Sequence, residues 1–72
     1  MNDGTKTFLL AIGASIHSKR RERELSMRKL AQLSKLNVST ISRLEKQPMN
    51  LRLETLYMIA DALGVPGKSF LP

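Results

Sequence analysis

The stretch SMRKLAQLSKLNVSTISRLE, Ser26 to Glu45, decides the fold. Its apolar residues recur at helical spacing in two short groups, with a break near Lys35. Ser26 and Asn37 precede the two groups, and both residue types favour helix N-caps. The stretch therefore predicts two helices of about eight residues, the second running from Val38 to Lys46. Helices this short are unstable alone, so we expect them to pack as a helix-turn-helix.

The two helices are predicted to have different outer faces. Leu30, Ala31 and Leu33 form the inward face of the first, while Ile41 and Leu44 define the inner side of the second. The opposite arc of the second helix carries hydroxyl and cationic side chains, namely Ser39, Ser42, Arg43 and Lys46, with Val38 at the tip. Arg can donate two hydrogen bonds to guanine, Ser can bond a base edge or a phosphate, and Val can touch a thymine methyl group. This face has the chemistry for reading the DNA major groove.

The N-terminal side of this stretch predicts one longer helix, from Thr7 to about Arg23. Its buried stripe is predicted to carry Leu9, Ile12, Ala14 and Ile16, and residues 1–6 are expected to form a flexible tail. The run FLLAIGA, Phe8 to Ala14, is far shorter than the ~20 apolar residues of a spanning helix. Dense positive charge follows the run instead of preceding it, unlike a secretory signal. We therefore interpret the run as a buried helix face and expect a cytoplasmic protein with no membrane partner.

The C-terminal side predicts a loop, a further helix and a terminal turn. Pro48 interrupts the helical pattern, and the next helix starts between Leu51 and Leu53, with Asn50 as a candidate cap. Gly64 is predicted to end this helix, and Pro66 opens a short terminal turn. The predicted buried stripe is Leu53, Leu56, Ile59, Ala60 and Leu63. These elements predict an all-α, compact five-helix domain over residues 7–72.

The charge balance indicates a polyanionic partner. The 72 residues include twelve Lys and Arg against six Asp and Glu, for a net charge of +6. Six of the cations lie close together, Lys19, Arg20, Arg21, Arg23, Arg28 and Lys29. A solvated helix face is the alternative explanation for this cluster, and a domain that binds RNA or membrane without sequence preference is the alternative function.

Composition argues against metal binding and catalysis. The chain has no cysteine and a single histidine, His17, without carboxylates at ligand spacing. No Ser-His-Asp arrangement, phosphate loop or carboxylate pair is present in the sequence. We therefore expect no cofactor, no metal site and no enzymatic activity.

Several motifs resemble one known family. Leu30-Ala31, Leu36 and the run Ile41 to Glu45 (Ile-Ser-Arg-Leu-Glu) fall in register with the helix-turn-helix of the Cro and lambda-repressor family, also called the xenobiotic-response-element family. IGASIHSKRRERELS resembles that family's first helix, and LETLYMIADALGV its fourth. The resemblance covers about residues 9 to 71, nearly the whole chain.

The resemblance implies five helices in a lambda-repressor-like fold, with the start of the Val38 to Lys46 helix in the major groove of double-stranded DNA. It implies base contacts from Val38, Ser39, Ser42 and Arg43. It implies phosphate contacts near Met27, Arg28, Lys35, Asn37, Thr40 and Lys46. It also implies an ion pair between Arg20 and Glu45 that ties the first helix to the end of the recognition helix.

Three positions depart from the family pattern. Met27 replaces a Gln that bonds phosphate, so Arg28 or nearby backbone N–H groups would take over this role. Lys35 replaces the Gly of the turn, where a left-handed backbone would cost a non-Gly residue ~1 kcal/mol. A phosphate contact from Lys35 would compensate. Glu24 replaces the Gly between the first two helices, which predicts a differently shaped junction.

The resemblance implies a small bacterial or phage transcription regulator that is associated with the nucleoid. One recognition helix reads too few base pairs for genomic selectivity, so we expect a homodimer on a palindromic operator. The candidate dimer surface comprises Met58, Val65, Phe70 and Leu71. Alternatively, Phe70 and Leu71 close the monomer's own core.

We expect the regulator to occlude or recruit RNA polymerase at a promoter. Three biological roles within the family remain open. The first is a repressor or autoregulator of the phage type. The second is a restriction–modification controller protein. The third is an antitoxin that binds and neutralises a partner toxin, such as a Hip-type kinase, and also regulates its own operon.

Overall fold

The computed structural model describes residues 2–72, which form four α-helices and one 3-10 helix. The α-helices are α1 (Asp3–Glu22), α2 (Met27–Ser34), α3 (Val38–Lys46) and α4 (Leu53–Leu63). The 3-10 helix spans Gly67–Phe70. The all-α class is confirmed, but the prediction of five helices is wrong. In this last element the Ser69 backbone N–H (3.0 Å) and hydroxyl (2.6 Å) both donate to the Pro66 carbonyl, which closes a tight turn.

Helix α1 begins four residues before the predicted start at Thr7. The Asn2 side chain accepts a hydrogen bond from the Thr5 backbone N–H (2.8 Å), and Asp3 lies in the first turn, where a negative charge suits the helix dipole. Residues 3–6, which were predicted to be a tail, are therefore helical. Met1, the first residue of that predicted tail, lies outside the described residues.

The buried stripe of α1 runs through Ile12, Gly13, Ile16 and Arg20. The prediction that Ala14 is buried is wrong, because Gly13 lies on the inner side in its place. Phe8 and Leu10 are also largely exposed. The apolar run in this helix is therefore only partly a core face, and its N-terminal half extends beyond the core.

The core brings together apolar side chains from all five elements. Two residues predicted to be buried are exposed instead: Leu33 at 46% and Leu53 at 81%. Ser34 takes the inner position at the end of α2, where its hydroxyl donates to the Leu30 carbonyl (2.7 Å). The buried apolar residues of the core are Ile12, Ile16, Leu30, Ala31, Ile41, Leu44, Leu56, Ile59, Ala60, Leu63 and Phe70.

The helix ends follow the predicted signals in part. Ser26 caps α2, because its hydroxyl accepts from the Lys29 backbone N–H (3.0 Å) as predicted. Asn37 occupies the N-cap position of α3, but its side chain makes no capping hydrogen bond. Arg52, and not Asn50, lies at the N-cap of α4. Gly64 ends α4 in the left-handed conformation (φ 70°), as predicted.

Two non-glycine residues adopt the left-handed backbone conformation. Glu24 has φ 54° between α1 and α2, and Lys35 has φ 61° between α2 and α3. Glu24, whose replacement of Gly predicted a differently shaped α1–α2 junction, thus adopts the backbone region that Gly favours. Each residue costs ~1 kcal/mol relative to Gly there. Packing of the flanking helices holds both turns in place.

Helices α1 and α3 touch backbone to backbone. A Cβ atom added at Gly13 would overlap the carbonyl oxygen of Leu44, close to the C-terminal end of α3. This contact fixes how far α3 stands from α1. It therefore contributes to the position of the outer face of α3.

The terminal turn packs back on α1. The Phe70 ring is 1% exposed, and the Lys19 ammonium lies 5.4 Å from its centroid, within the range of a cation–π contact. Phe70 therefore closes the monomer's own core, which was the alternative to its placement in a dimer surface.

We expect Gly13→Ala to lower the free energy of unfolding by about 2 kcal/mol, because the new methyl group has to push α3 away from α1. Urea unfolding measures the change. Gly4→Ala is the matched control in the same helix, because the nearest atom to its added Cβ lies at an ordinary contact distance of 3.5 Å. Since Ala favours a helix by up to ~1 kcal/mol over Gly, a stable Gly13→Ala protein would contradict the tight contact.

Candidate nucleic-acid interface

The outer face of α3 is polar, cationic and open to solvent. Ser39, Arg43 and Lys46 are exposed along this face, and Val38 is exposed at the N-terminal tip. Ser42 is half-buried at the edge of the face. The predicted base-contacting residues therefore lie on one helix, with Ser42 less accessible than the other three.

The predicted phosphate contacts surround this helix. Arg28, Lys35, Asn37 and Lys46 are exposed, and Thr40 is half-buried. The backbone N–H groups of the first turns of α2 and α3 lack partners within their helices, apart from that of Lys29, which Ser26 caps, and that of Thr40, which donates to the Asn37 carbonyl (3.0 Å). The beginnings of both helices can therefore bind anions.

Met27 is the predicted phosphate contact that fits least well. Its side chain is half-buried and packs against the core, and a thioether donates no hydrogen bond to phosphate. An anion at the start of α2 could therefore be bound by backbone N–H groups and by the neighbouring Arg28.

The structure contains the ion pair between Arg20 and Glu45. Arg20 Nε donates to Glu45 Oε2 at 2.7 Å, and Arg20 Nη2 donates to Glu45 Oε1 at 3.0 Å. Arg20 Nη1 also donates to the Leu25 carbonyl at 2.7 Å. One guanidinium thus joins α1, the loop before α2 and the C-terminal end of α3.

Burial makes this pair sensitive to the loss of either partner. The Glu45 side chain is 1% exposed and the Arg20 side chain 7%. Burial opposes ionisation of the Glu45 carboxyl, but hydrogen bonds from Arg20 and His17 and their positive charge outweigh it, so the pKa of Glu45 is lowered. The hydrogen bond to Glu45 likewise raises the pKa of Arg20.

His17 belongs to the same cluster, although no role was predicted for it. Its Nδ1 lies 2.7 Å from Glu45 Oε1 and 3.2 Å from Arg20 Nη2. The available signal was spacing, since His17 precedes Arg20 by three residues and therefore shares its face of α1.

The candidate dimer residues are not equally available. Phe70 is wrong as an interface residue, because it is buried in the monomer's core. Leu71 is 47% exposed, whereas Met58 and Val65 are half-buried. Tyr57, which is not among the predicted dimer residues, is an exposed aromatic residue on α4 that lines a cleft with Met58 and Leu33.

Two other kinds of site are not found in the part of the chain that the structure describes. Residues 2–72 contain no helix with the length and apolarity needed to cross a membrane. They also contain no group of three His, Cys, Asp or Glu side chains arranged to hold a metal ion.

Replacing Glu45 should destabilise the protein in a pH-dependent way. We expect Glu45→Ala to lower the free energy of unfolding by about 3 kcal/mol at neutral pH, because Arg20 is left buried without a partner. Because the pKa of Glu45 is lower in the folded protein than its ordinary value of 4.5, the ionised carboxylate stabilises the fold fully above pH 4.5. This stabilisation is lost as the pH falls through the lowered pKa of Glu45. The difference from wild type should therefore shrink under acid, as followed by urea unfolding at several pH values.

The exposed acid Glu54 provides the control for this experiment, since Glu54→Ala removes only a first-turn charge of α4 and should lower stability by no more than about 1 kcal/mol. A wild-type advantage over Glu45→Ala that stays constant far below pH 4.5 would contradict the proposed cause.

Comparison with known proteins identifies α2 and α3 as part of a known helix-turn-helix family. The family model described as helix-turn-helix matches residues 16–70. No curated protein matches the sequence. Among solved structures, the chain is similar to the restriction–modification controller protein C.AhdI from Aeromonas hydrophila, with 27% identity and a TM-score of 0.84 over 88% of this chain and 96% of that one.

Two further structures are similar at comparable levels. C.Esp1396I bound to a 25 base pair operator site is 29% identical, with a TM-score of 0.80 over 86% of this chain and 82% of that one. The clp gene regulator ClgR from C. glutamicum is 28% identical, with a TM-score of 0.79 over 85% of this chain and 79% of that one.

The family match covers α2, α3 and α4 together with the part of α1 that carries Arg20. The outer face of α3 has groups suited to DNA, and solved relatives include gene regulators and a protein on its operator. This chain belongs to the helix-turn-helix family of DNA-binding transcription regulators.

Proposed function

We propose that this protein binds double-stranded DNA with sequence specificity and represses or autoregulates its target promoter as a homodimer on a palindromic operator. The observation that carries the proposal is the exposed face of α3, on which Ser39, Arg43 and Lys46 lie together beside Val38. The proposed function includes no catalytic step.

The fixed position of α3 supports base reading. Its C-terminal end is held by the Arg20–Glu45 pair and by the close approach of Gly13 to Leu44. A side chain can discriminate between bases only when its helix is held at a fixed distance from the phosphate backbone. Arg28, Lys35 and Lys46 supply the salt-sensitive part of the affinity under this proposal.

The size of the reading surface favours a dimer. One helix of nine residues contacts only a few base pairs, and two copies related by a two-fold axis double the sequence that is read. We propose that the exposed Leu71 and the half-buried Met58 and Val65 contribute to the contact between copies.

A restriction–modification controller is a second candidate for the specific job. The observation that favours it is the similarity to C.AhdI and C.Esp1396I, which are controllers of this type. A selected operator that lies upstream of an adjacent endonuclease gene would support this candidate. An operator elsewhere would favour a regulator of other genes.

Selection of bound duplexes from a random DNA library tests the proposed function directly. We expect a palindromic sequence that binds about 10³-fold or more tightly than a scrambled duplex. Failure of any sequence to enrich, with a steep salt dependence on every duplex, would support non-specific binding of nucleic acid instead.

Substitutions on α3 should separate base reading from phosphate binding. Arg43→Ala should relax specificity at one base-pair position by about 1–3 kcal/mol. Lys46→Ala should weaken all duplexes about equally and reduce the slope of log affinity against log salt by about one. Filter binding to the selected operator and to a scrambled duplex measures both effects. Equal losses on the two duplexes for Arg43→Ala would overturn its assignment to base reading.

Leu71→Glu should shift the protein towards monomer, because it places a charge in the proposed contact between copies. Analytical ultracentrifugation over a range of concentrations measures the shift. Leu10→Glu is the matched control, since Leu10 is 41% exposed on α1 and is not part of the proposed contact between copies. A dimer that resists Leu71→Glu would place the interface elsewhere.

A further inference from the structure

A cleft runs between α1, the start of α2 and the end of α3. Its lining consists of Ala14, His17, Met27, Glu45 and Lys46. Two parts of this lining belong to the proposed DNA-backbone surface, because Lys46 ends α3 and Met27 begins the first turn of α2. His17 lies between them, and its side chain is 50% exposed.

One nitrogen of the His17 ring is held by the ion-pair cluster. Nδ1 lies 2.7 Å from the Glu45 carboxylate and 3.2 Å from Arg20 Nη2. Arg can only donate, so the shorter contact to a carboxylate favours a proton on Nδ1 that is donated to Glu45. Nε2 has no hydrogen-bond partner among residues 2–72 and is left for a ligand.

The charges around the ring determine what such a ligand would be. Glu45 faces the ring from α3, but its negative charge is already matched by Arg20. The other charged residue of the lining is Lys46 on α3, and the α2 side of the cleft offers only the uncharged Met27. On α1 itself, Arg21 follows His17 by one helical turn. A second proton on His17 therefore adds a positive charge to a cleft whose one carboxylate is already paired with Arg20.

We propose that protonated His17 is an additional contact to the DNA backbone, donating from Nε2 to a phosphate near those bound by Lys46 and the first turn of α2. This inference rests on the proposed DNA binding but not on its sequence specificity. Only the protonated ring can donate from both nitrogens at once, so the contact makes DNA affinity rise as the pH falls.

Affinity for a synthetic mixed-sequence duplex, measured by fluorescence anisotropy at about pH 5.5 and pH 8, tests the proposal. We expect wild type to bind about tenfold more tightly at the lower pH, the size of one charge-assisted hydrogen bond. His17→Gln, which cannot gain a proton, should lose most of this change. His17→Lys, which is charged throughout, should bind tightly at both pH values.

The salt dependence separates a phosphate contact from a purely structural role. If His17 binds phosphate, the slope of log affinity against log salt for wild type should be steeper by about 0.9 at the lower pH, because one more counterion is released. If His17 only positions α3 through Glu45, the affinity changes without a change in slope. Circular dichroism at both pH values verifies that each variant is folded.

Each outcome has a distinct meaning. The same pH dependence in wild type and His17→Gln, or a wild-type slope that does not change with pH, would overturn the assignment. Absence of binding to any duplex at either pH would overturn it together with the proposed function. A pH-dependent His17 effect without enrichment of any operator would support the phosphate contact and count against sequence-specific regulation.

Discussion

The buried contact between Arg20 and Glu45 is the interaction on which the rest of the structure depends. Glu45 lies next to the end of the recognition helix, and its carboxylate is almost completely removed from water. Such a charge is tolerated only because Arg20 matches it with two hydrogen bonds and uses its remaining nitrogen to bind the loop before α2. The guanidinium therefore joins three segments that differ in sequence position, and their fixed arrangement sets the position of the proposed DNA-reading face of α3.

The backbone contact between Gly13 and Leu44 complements this pair. The ion pair fixes the orientation of α3 through side chains, and the contact at Gly13 fixes its distance from α1 through backbone atoms. Both act on the inner side of α3, so its opposite side is free to face outward. Division of one short helix into an anchored face and an exposed face allows nine residues to serve both the core and the proposed DNA surface.

The two connecting turns contain residues that their backbone conformation does not favour. Glu24 and Lys35 occupy left-handed backbone positions that Gly would fill at lower cost. With these turns, the helices on either side bury Leu30, Ile41 and Leu44 in one core. Packing energy spread over the core outweighs ~1 kcal/mol of backbone strain at each turn. At Lys35 the exposed ammonium also adds positive charge beside the proposed DNA surface.

The sequence by itself determined the all-α class, the limits of α3 and the cationic character of its outer face, because helical periodicity and side-chain chemistry are local properties. It did not determine which way Ala14, Leu33 and Leu53 point, since a residue at the edge of an apolar stripe is buried only when a neighbouring helix covers it. The burial of Phe70 and the position of His17 against Glu45 were also decided by the tertiary structure. Both contacts join residues far apart in the chain, and their formation depends on how α1, α3 and the terminal turn pack together.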